Sequence, residues 1–184
     1  MKIALSGASS TGKTSVARQF LLTEFAISRG FSICDVGSRA LLEYLGLGLA
    51  DQISSSDYRV FEIMYISRKL YIESSESIFI TERSFADCLA YWRIHCAPTA
   101  TPDEQALIEN VCLKSLRSYD RHFLFPTGFL PLEQDGFRHT QIAYHEKFNR
   151  ILEGIFQDCG IVPVTMPRAS IEDRVEFLVR ELND

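Results

Sequence analysis

Short apolar runs alternate along this chain with longer segments in which apolar residues recur every three or four positions. Short runs are typical of buried strands, and the longer periodic segments are typical of amphipathic helices. We predict strands at 3–5, 31–34, 78–80, 122–125 and 161–164, and helices at 13–28, 38–45, 58–73, 85–92, 103–118, 145–155 and 171–182. This alternation predicts an α/β fold, a parallel sheet with helices on both faces.

Composition narrows the class of protein without naming a function. The chain has 184 residues, of which 46% are apolar and 23% charged, and its net charge is −5. This length supports one core, so we predict a single domain over 1–184. The negative charge argues against nucleic acid as a partner. The sequence contains no run of 18 apolar residues, so we predict no membrane span. Five scattered cysteines indicate reduced thiols in a cytoplasmic protein.

A glycine-rich segment follows the first predicted strand. Residues 7–14 read Gly-Ala-Ser-Ser-Thr-Gly-Lys-Thr, the pattern G-x-x-x-x-G-K-[ST] of a loop that cradles phosphates. The two glycines let backbone N–H groups turn towards an anion, Lys13 would reach the β and γ oxygens, and the Thr14 hydroxyl would ligate Mg²⁺. The residues that we expect to bind ATP are Gly7, Ser9, Ser10, Thr11, Gly12, Lys13, Thr14 and Ser15.

A carboxylate and a guanidinium follow the third predicted strand, where residues 80–84 read Ile-Thr-Glu-Arg-Ser. Ligands of open parallel sheets bind beyond the carboxyl ends of the strands, so Glu82 and Arg83 should lie beside the phosphate loop. Glu82 would hold Mg²⁺ or take a proton, and Arg83 would clamp an acceptor anion and neutralise charge during transfer. The alternative is a surface ion pair at the start of a helix.

With these two motifs, the chain resembles the P-loop nucleoside and nucleotide kinases. Thr-Glu-Arg-Ser at 81–84 is similar to the Asp/Glu-Arg-Ser/Tyr/His motif of deoxynucleoside kinases, thymidylate kinases and ribosylnicotinamide kinase domains. Its continuation through Tyr91 is most similar to the ribosylnicotinamide kinase-like branch of small AAA-type nucleotide kinases. The resemblance implies a three-layer P-loop NTPase fold, with a five-stranded parallel sheet, helices on both faces and a lid.

The resemblance also implies where an acceptor would bind. In this branch an acid shortly precedes an arginine after the second strand, and Arg39 matches that arginine. Val36 stands where a glutamate is expected, so Asp35 is the nearest carboxylate, either as base or acceptor ligand or as a cap at the strand end. Tyr58 and Arg59 fall where these kinases stack an acceptor base, with simple packing as the alternative.

A loop without helical or strand periodicity, 126–136, precedes the sixth predicted helix, 145–155. Residues 133–138, Glu-Gln-Asp-Gly-Phe-Arg, resemble the lid stretch of the same branch. An arginine that a mobile loop carries over a triphosphate adds positive charge while the loop excludes water. We predict a lid at about 126–138 with Arg138 as its catalytic arginine; Arg117 and Arg121 are weaker alternatives, and Arg138 as a solvated surface residue is the simpler interpretation.

The leading functional hypothesis is ATP- and Mg²⁺-dependent phosphoryl transfer to a small nucleoside or (deoxy)nucleoside monophosphate. Arg39, Arg59 and Arg83 slightly favour an acceptor that already carries a phosphate. Two alternatives stay open: a regulatory P-loop NTPase that acts as a switch on a protein partner, and a kinase of a hydroxyl in nucleic acid. A homodimer is compatible with the sequence, and no membrane partner is expected.

Overall fold

Five short strands form one sheet at the centre of the protein. The computed structural model describes residues 1–48, 53–129 and 141–183. The strands are β1 (Lys2–Ser6), β2 (Ser32–Cys34), β3 (Phe79–Glu82), β4 (Arg121–Leu124) and β5 (Val164–Thr165), in the order β2-β3-β1-β4-β5. All neighbouring pairs are parallel. This confirms the predicted five-stranded parallel sheet, and it puts the carboxyl ends of all strands at one edge.

Helices cover both faces of this sheet. They are α1 (Lys13–Phe20), α2 (Glu24–Arg29), α3 (Ser38–Tyr44), α4 (Ser55–Ser74), α5 (Phe85–His95), α6 (Pro102–Leu116), α7 (Ile142–Asp158) and α8 (Ile171–Asn183). Alternate side chains of β1 enter different cores because successive residues of a strand point to opposite faces. Ile3 and Leu5 pack with α1, α2 and α8, whereas Ala4 packs with α3 to α7. The three-layer arrangement is therefore confirmed.

The single helix predicted at 13–28 is wrong, because the chain breaks it into α1 and α2. Thr23 caps α2, and its Oγ1 accepts a hydrogen bond from Ala26 N at 3.2 Å. Such local bonding competes with a continuous helix. After the break, Ile27 of α2 lies at the surface, where it is 67% exposed.

The last strand also differs from its prediction. β5 covers Val164–Thr165 rather than 161–164, and Val162 is 92% exposed. Pro163 has no N–H to donate to a ladder, so pairing with β4 begins only after it. The start of α4 is likewise earlier than predicted, because Ser54 caps the helix with its Oγ accepting from Asp57 N at 3.2 Å.

Two further predictions from the sequence concern the cysteines and membrane-spanning segments. Cys34, Cys88, Cys96 and Cys112 are buried free thiols, as predicted, and Cys159 is half-buried. None of the helices in the described ranges is both long and apolar enough to cross a membrane.

Candidate active site

The phosphate loop, residues 7–14, follows the central strand β1 and ends in the first two residues of α1. Gly7 has φ +136° and Gly12 φ +88°, and Ser10 also has a left-handed φ of +59°. A Cβ on Gly7 would lie 2.6 Å from the carbonyl oxygen of Phe125. Glycine is therefore required at position 7 by its dihedral angle and by contact with the end of β4, in addition to the approach of a phosphate.

Lys13 holds its ammonium group within this loop. Nζ donates to the carbonyl oxygens of Gly7 at 2.7 Å and Ala8 at 2.6 Å, and it lies 3.1 Å from Thr11 Oγ1. Lys13 is buried, whereas Ser9 and Ser10 are half-buried and Ser15 is exposed on α1. A phosphate beside the loop would thus meet a positive charge and a helix N-terminus together.

Arg174 of α8 braces the loop from outside. Its NH1 donates to Thr11 O at 2.9 Å and its Nε to Pro167 O at 3.0 Å, and the side chain is 2% exposed. Sequence reasoning missed this residue. No local pattern marks it, because Arg174 and Thr11 are 163 positions apart.

Thr14 and Glu82 meet at the junction of the loop and β3. The Thr14 hydroxyl donates to Glu82 Oε2 at 2.5 Å. A hydroxyl and a carboxylate supply the oxygen ligands that Mg²⁺ prefers, and Mg²⁺ commonly takes its other ligands from water and substrate phosphates. These residues therefore fit the predicted metal. No cluster of three or more His, Cys, Asp or Glu suited to a metal occurs in the described ranges.

A buried ion pair fixes α4 against β3 next to Glu82. Lys69 Nζ donates to Glu73 Oε1 at 2.5 Å and to Thr81 Oγ1 at 2.8 Å, and Tyr119 OH donates to Glu73 Oε2 at 2.9 Å. Each buried charge thus has partners on other elements. The network holds the strand end that carries Glu82.

Arg83 occupies a strained position beside this strand end. Its φ is +68°, a left-handed value that is uncommon for a residue with a side chain. Its backbone N donates to Leu5 O at 2.8 Å, and its guanidinium lies 4.7 Å from the centre of the Tyr91 ring. None of the described residues forms a hydrogen bond or ion pair with the guanidinium. Arg83 therefore retains donors for an anionic ligand.

Glu62 of α4 is a buried acid that the sequence analysis missed. It is 2% exposed, and within the described ranges its carboxyl group has no hydrogen bond or ion pair. Burial raises the pKa of Glu62 to about 8, and the nearby Arg83 charge partly lowers it. Burial likewise raises the pKa of Tyr65 and of Tyr91. The available signal was spacing, since Tyr58, Glu62 and Tyr65 recur on one face of α4.

Aromatic rings line the same side of the protein. Tyr58 stacks on His95, with ring centres 3.9 Å apart and planes 7° from parallel. The Tyr91 ring lies 6.3 Å from His95, and Tyr144 OH is 2.7 Å from His95 Nε2. We call Tyr58, Tyr91, His95 and Tyr144 the aromatic cluster. The predicted residue Tyr58 belongs to it, but one face of its ring already contacts His95.

Arg59 was predicted to lie where an acceptor base stacks, but its guanidinium binds residues at the start of α6. Its NH1 lies 3.2 Å from Glu104 Oε2, and its NH2 donates to Thr99 O at 3.1 Å. These contacts tie α4 to the start of α6. Because its charge is already paired, Arg59 is less suited to bind an acceptor than Arg83.

Two residues predicted after β2 are exposed. Asp35 Oδ1 accepts from Gly37 N at 2.8 Å, the contact expected of a cap at the strand end. Arg39 lies on the exposed side of α3. Both stand at the carboxyl edge of the sheet, next to the strand that carries Glu82.

The predicted lid falls mainly outside the described residues. Arg138 and residues 130–140 are not among those that the structure describes. The alternative Arg121 begins β4, where it pairs with Ile3, and Arg117 ends α6 just before it. Both arginines therefore lie towards the amino edge of the sheet, which excludes them as substitutes for Arg138 in this structure.

Asp87, in the first turn of α5, joins the two motifs. Its Oδ1 accepts from Gly7 N at 2.9 Å, and its Oδ2 accepts from Ser84 N at 2.7 Å and from Ser84 Oγ at 2.9 Å. The sequence analysis assigned Asp87 no role. Ser84-x-x-Asp87 is a capping-box pattern, which was the available signal for the local contact only.

Three solved structures superpose on nearly the whole chain at low sequence identity. The NadR protein in complex with NR superposes with a TM-score of 0.68 at 15% identity, covering 99% of this chain and 50% of that chain. Deoxyadenosine kinase from M. mycoides with bound dATP gives 0.69 at 13%, covering 100% of both chains. Thymidylate kinase from Candida albicans gives 0.64 at 12%, covering 99% of this chain and 90% of that one. This chain spans about half the length of the NadR protein.

Sequence comparison leads to a family. A search of curated proteins gave no match. A family model described as an AAA domain matches residues 2–174, nearly the whole chain. The chain therefore belongs to this AAA domain family, and its fold is that of the P-loop nucleoside and nucleotide kinases.

Proposed function

We propose that this protein is a kinase that uses ATP and Mg²⁺ to phosphorylate a small nucleoside or nucleoside monophosphate. One observation carries the proposal: Glu82 bonds Thr14 of the phosphate loop, and the next residue, Arg83, retains unpaired guanidinium donors among the described residues. A metal-side carboxylate and an acceptor-side cation are thus consecutive. Phosphoryl transfer requires the donor phosphate and the acceptor to be held next to each other, and adjacent residues would do this.

The chain's own residues would divide the work by position. Lys13 and the loop N–H groups bind the donor phosphates, while Thr14 and Glu82 hold Mg²⁺. When bound, Mg²⁺ neutralises charge on the donor phosphates. Because the Thr14 bond favours a metal-side role for Glu82, we assign the acceptor's proton to Asp35 at the end of neighbouring β2. Arg83 orients the acceptor, and Arg138 of the predicted lid would add charge over the donor.

The acceptor side favours a nucleoside over a monophosphate. The sequence argument for a phosphorylated acceptor counted Arg39, Arg59 and Arg83, but Arg59 is paired with Glu104. One of the solved structures with this fold, that of the NadR protein, contains NR. The aromatic cluster supplies flat surfaces of the kind on which a base or a pyridine ring stacks.

A single domain, a cytoplasmic location and a homodimer remain predictions from the sequence.

The decisive test is acceptor-stimulated ADP release. Purified protein with ATP and Mg²⁺ is screened against nucleosides, their monophosphates and ribosylnicotinamide, and the phosphorylated product is identified by mass. We expect at least one nucleoside to stimulate ADP release, and omission of Mg²⁺ to abolish it. ADP release that none of these acceptors stimulates would contradict the proposal and favour the switch alternative.

A further inference from the structure

We infer that Asp87 is a positioning residue that couples the phosphate loop to the turn carrying Arg83, so that nucleotide bound at the loop orders the acceptor arginine. The inference rests on the proposed function for the nature of the nucleotide. The contacts of Asp87 and the backbone of the turn that carries Arg83 indicate the coupling.

One carboxylate joins both segments. Asp87 is 0% exposed, and it accepts the N–H of Gly7 with one oxygen and the N–H and hydroxyl of Ser84 with the other. Ser6 Oγ adds a second link by donating to Ser84 Oγ at 2.8 Å. Hydrogen bonds to an ionised acceptor are among the stronger ones in proteins. The loop and the turn are therefore held by the same buried group.

The turn needs such support because Arg83 has a left-handed backbone. A non-glycine residue keeps such a φ only where its surroundings enforce it. Its own N–H is bound to Leu5 O of β1, and the next N–H, of Ser84, is bound to Asp87. Both constraints lead to β1 or to the loop that follows it. A displacement of Gly7 on ligand binding would thus reach Arg83 through one side chain.

Helix capping alone does not explain Asp87. The corresponding acid of α8, Asp173, is exposed, and among the described residues its side chain bonds only the cap residue Ser170. The corresponding acid of α6, Glu104, is partly exposed and bonds Thr101 and Arg59. Asp87 differs from both, because it is fully buried and its second oxygen binds the phosphate loop. Asp173 therefore offers a matched control for capping without coupling.

The test compares Asp87→Asn with Asp173→Asn by hydrogen exchange of the amides at 82–84, with and without a non-hydrolysable ATP analogue and Mg²⁺. In the wild type and in Asp173→Asn, we expect the analogue to slow exchange at 82–84. Asp87→Asn places an amide NH₂ against a backbone N–H. We expect it to bind the analogue about 10-fold more weakly. At saturating analogue, exchange at 82–84 should no longer respond.

Ser84→Ala serves if Asp87→Asn fails to fold, which its thermal unfolding midpoint reports. This variant keeps the bond from Asp87 to Gly7 and removes the Ser84 hydroxyl. Analogue affinity should stay within about twofold, while the exchange response at 82–84 shrinks. An unchanged response in either variant would overturn the inference.

The outcomes also separate the inference from the proposed function. If exchange at 82–84 responds as expected but no acceptor stimulates ADP release, the coupling stands and the kinase assignment fails. If acceptors stimulate ADP release while Asp87→Asn keeps the wild-type response, the kinase stands and the coupling fails. Failure of the wild type to bind the analogue would overturn both.

Discussion

The proposed donor side and the proposed acceptor side of this site are built in different ways. The phosphate loop consists of consecutive residues, 7–14, and its binding groups are largely backbone N–H groups and one lysine. The proposed acceptor side combines Glu62 of α4, Tyr91 of α5 and Tyr144 of α7 with Arg83 of the turn before α5. A local motif therefore specifies the donor site, whereas the acceptor site exists only once three helices pack together.

The two sides also differ in how far their polar groups are satisfied. Lys13 donates to two carbonyl oxygens, and Asp87 accepts three hydrogen bonds. Glu62 and Arg83 have no hydrogen bond or ion pair from their charged ends to any described residue. Unsatisfied ionisable groups in a protein interior are costly and are frequently retained for ligand binding. We therefore expect the proposed acceptor side to determine which substrate binds.

Removal of the loop cation should give the largest effect. We expect Lys13→Ala to lower kcat by roughly 100- to 1000-fold, because one charged donor to the transferring group is lost. ATP turnover with the best acceptor from the screen measures this. The control is Lys114→Ala, which removes an exposed lysine of α6 and should leave turnover unchanged. Full activity in Lys13→Ala would refute its role at the donor site.

Removal of the Arg83 guanidinium should impair use of the acceptor and leave binding of the donor nearly unchanged. We expect Arg83→Ala to lower kcat/KM for the acceptor by about 100-fold through misplacement of the acceptor. Affinity for an ATP analogue, measured calorimetrically, should change little. Arg121→Ala is the matched control at the opposite edge of the sheet. If Arg83→Ala instead weakened analogue binding alone, its assignment to the acceptor side would be wrong.

Glu62 should make stability depend on pH. Its carboxyl has a pKa of about 8 in the fold and an ordinary value of 4.5 when unfolded, so between these values only the unfolded chain loses the proton. The free energy of unfolding should then fall as pH rises, by at most about 1.4 kcal/mol per pH unit. Glu62→Gln should flatten this slope.

Denaturant titrations between pH 6.5 and 8 isolate the effect of Glu62. Burial lowers the pKa of His122 to about 4 from 6.5, so His122 destabilises the fold only as pH falls from 6.5 towards about 4. Glu153→Gln, a change on the exposed side of α7, should leave the wild-type slope intact. An identical slope in the wild type and Glu62→Gln would show that Glu62 is already ionised in the fold.

The aromatic cluster should give the smallest effect. We expect Tyr58→Leu to raise the acceptor KM by about 3- to 10-fold, because a stacked aromatic pair contributes about 0.5–1.5 kcal/mol. The value of kcat should change less than KM. Tyr71→Leu, on the exposed side of α4, is the control. An acceptor KM that is unchanged in Tyr58→Leu would reduce its role to packing against His95.

Local patterns predicted most of the fold and the position of Glu82 beside the phosphate loop. The strands were found because short apolar runs are set by burial, and the loop was found because its chemistry occupies eight consecutive residues. The break at Thr23 was missed because one side-chain bond within the turn outweighed a continuous helical pattern. Arg59 was misplaced because its partner, Glu104, lies 45 positions away.

The sequence by itself determined the phosphate-loop motif, the parallel sheet, and the strand end at which Glu82 and Arg83 follow each other. Those features depend on residues that are neighbours in the chain or on the regular geometry of a parallel sheet. Only the tertiary structure decided that Asp87 contacts Gly7, that Arg174 braces Thr11, and that Glu62 is buried near Arg83. Such contacts join residues separated by about 20 to 163 positions, and packing alone selects them.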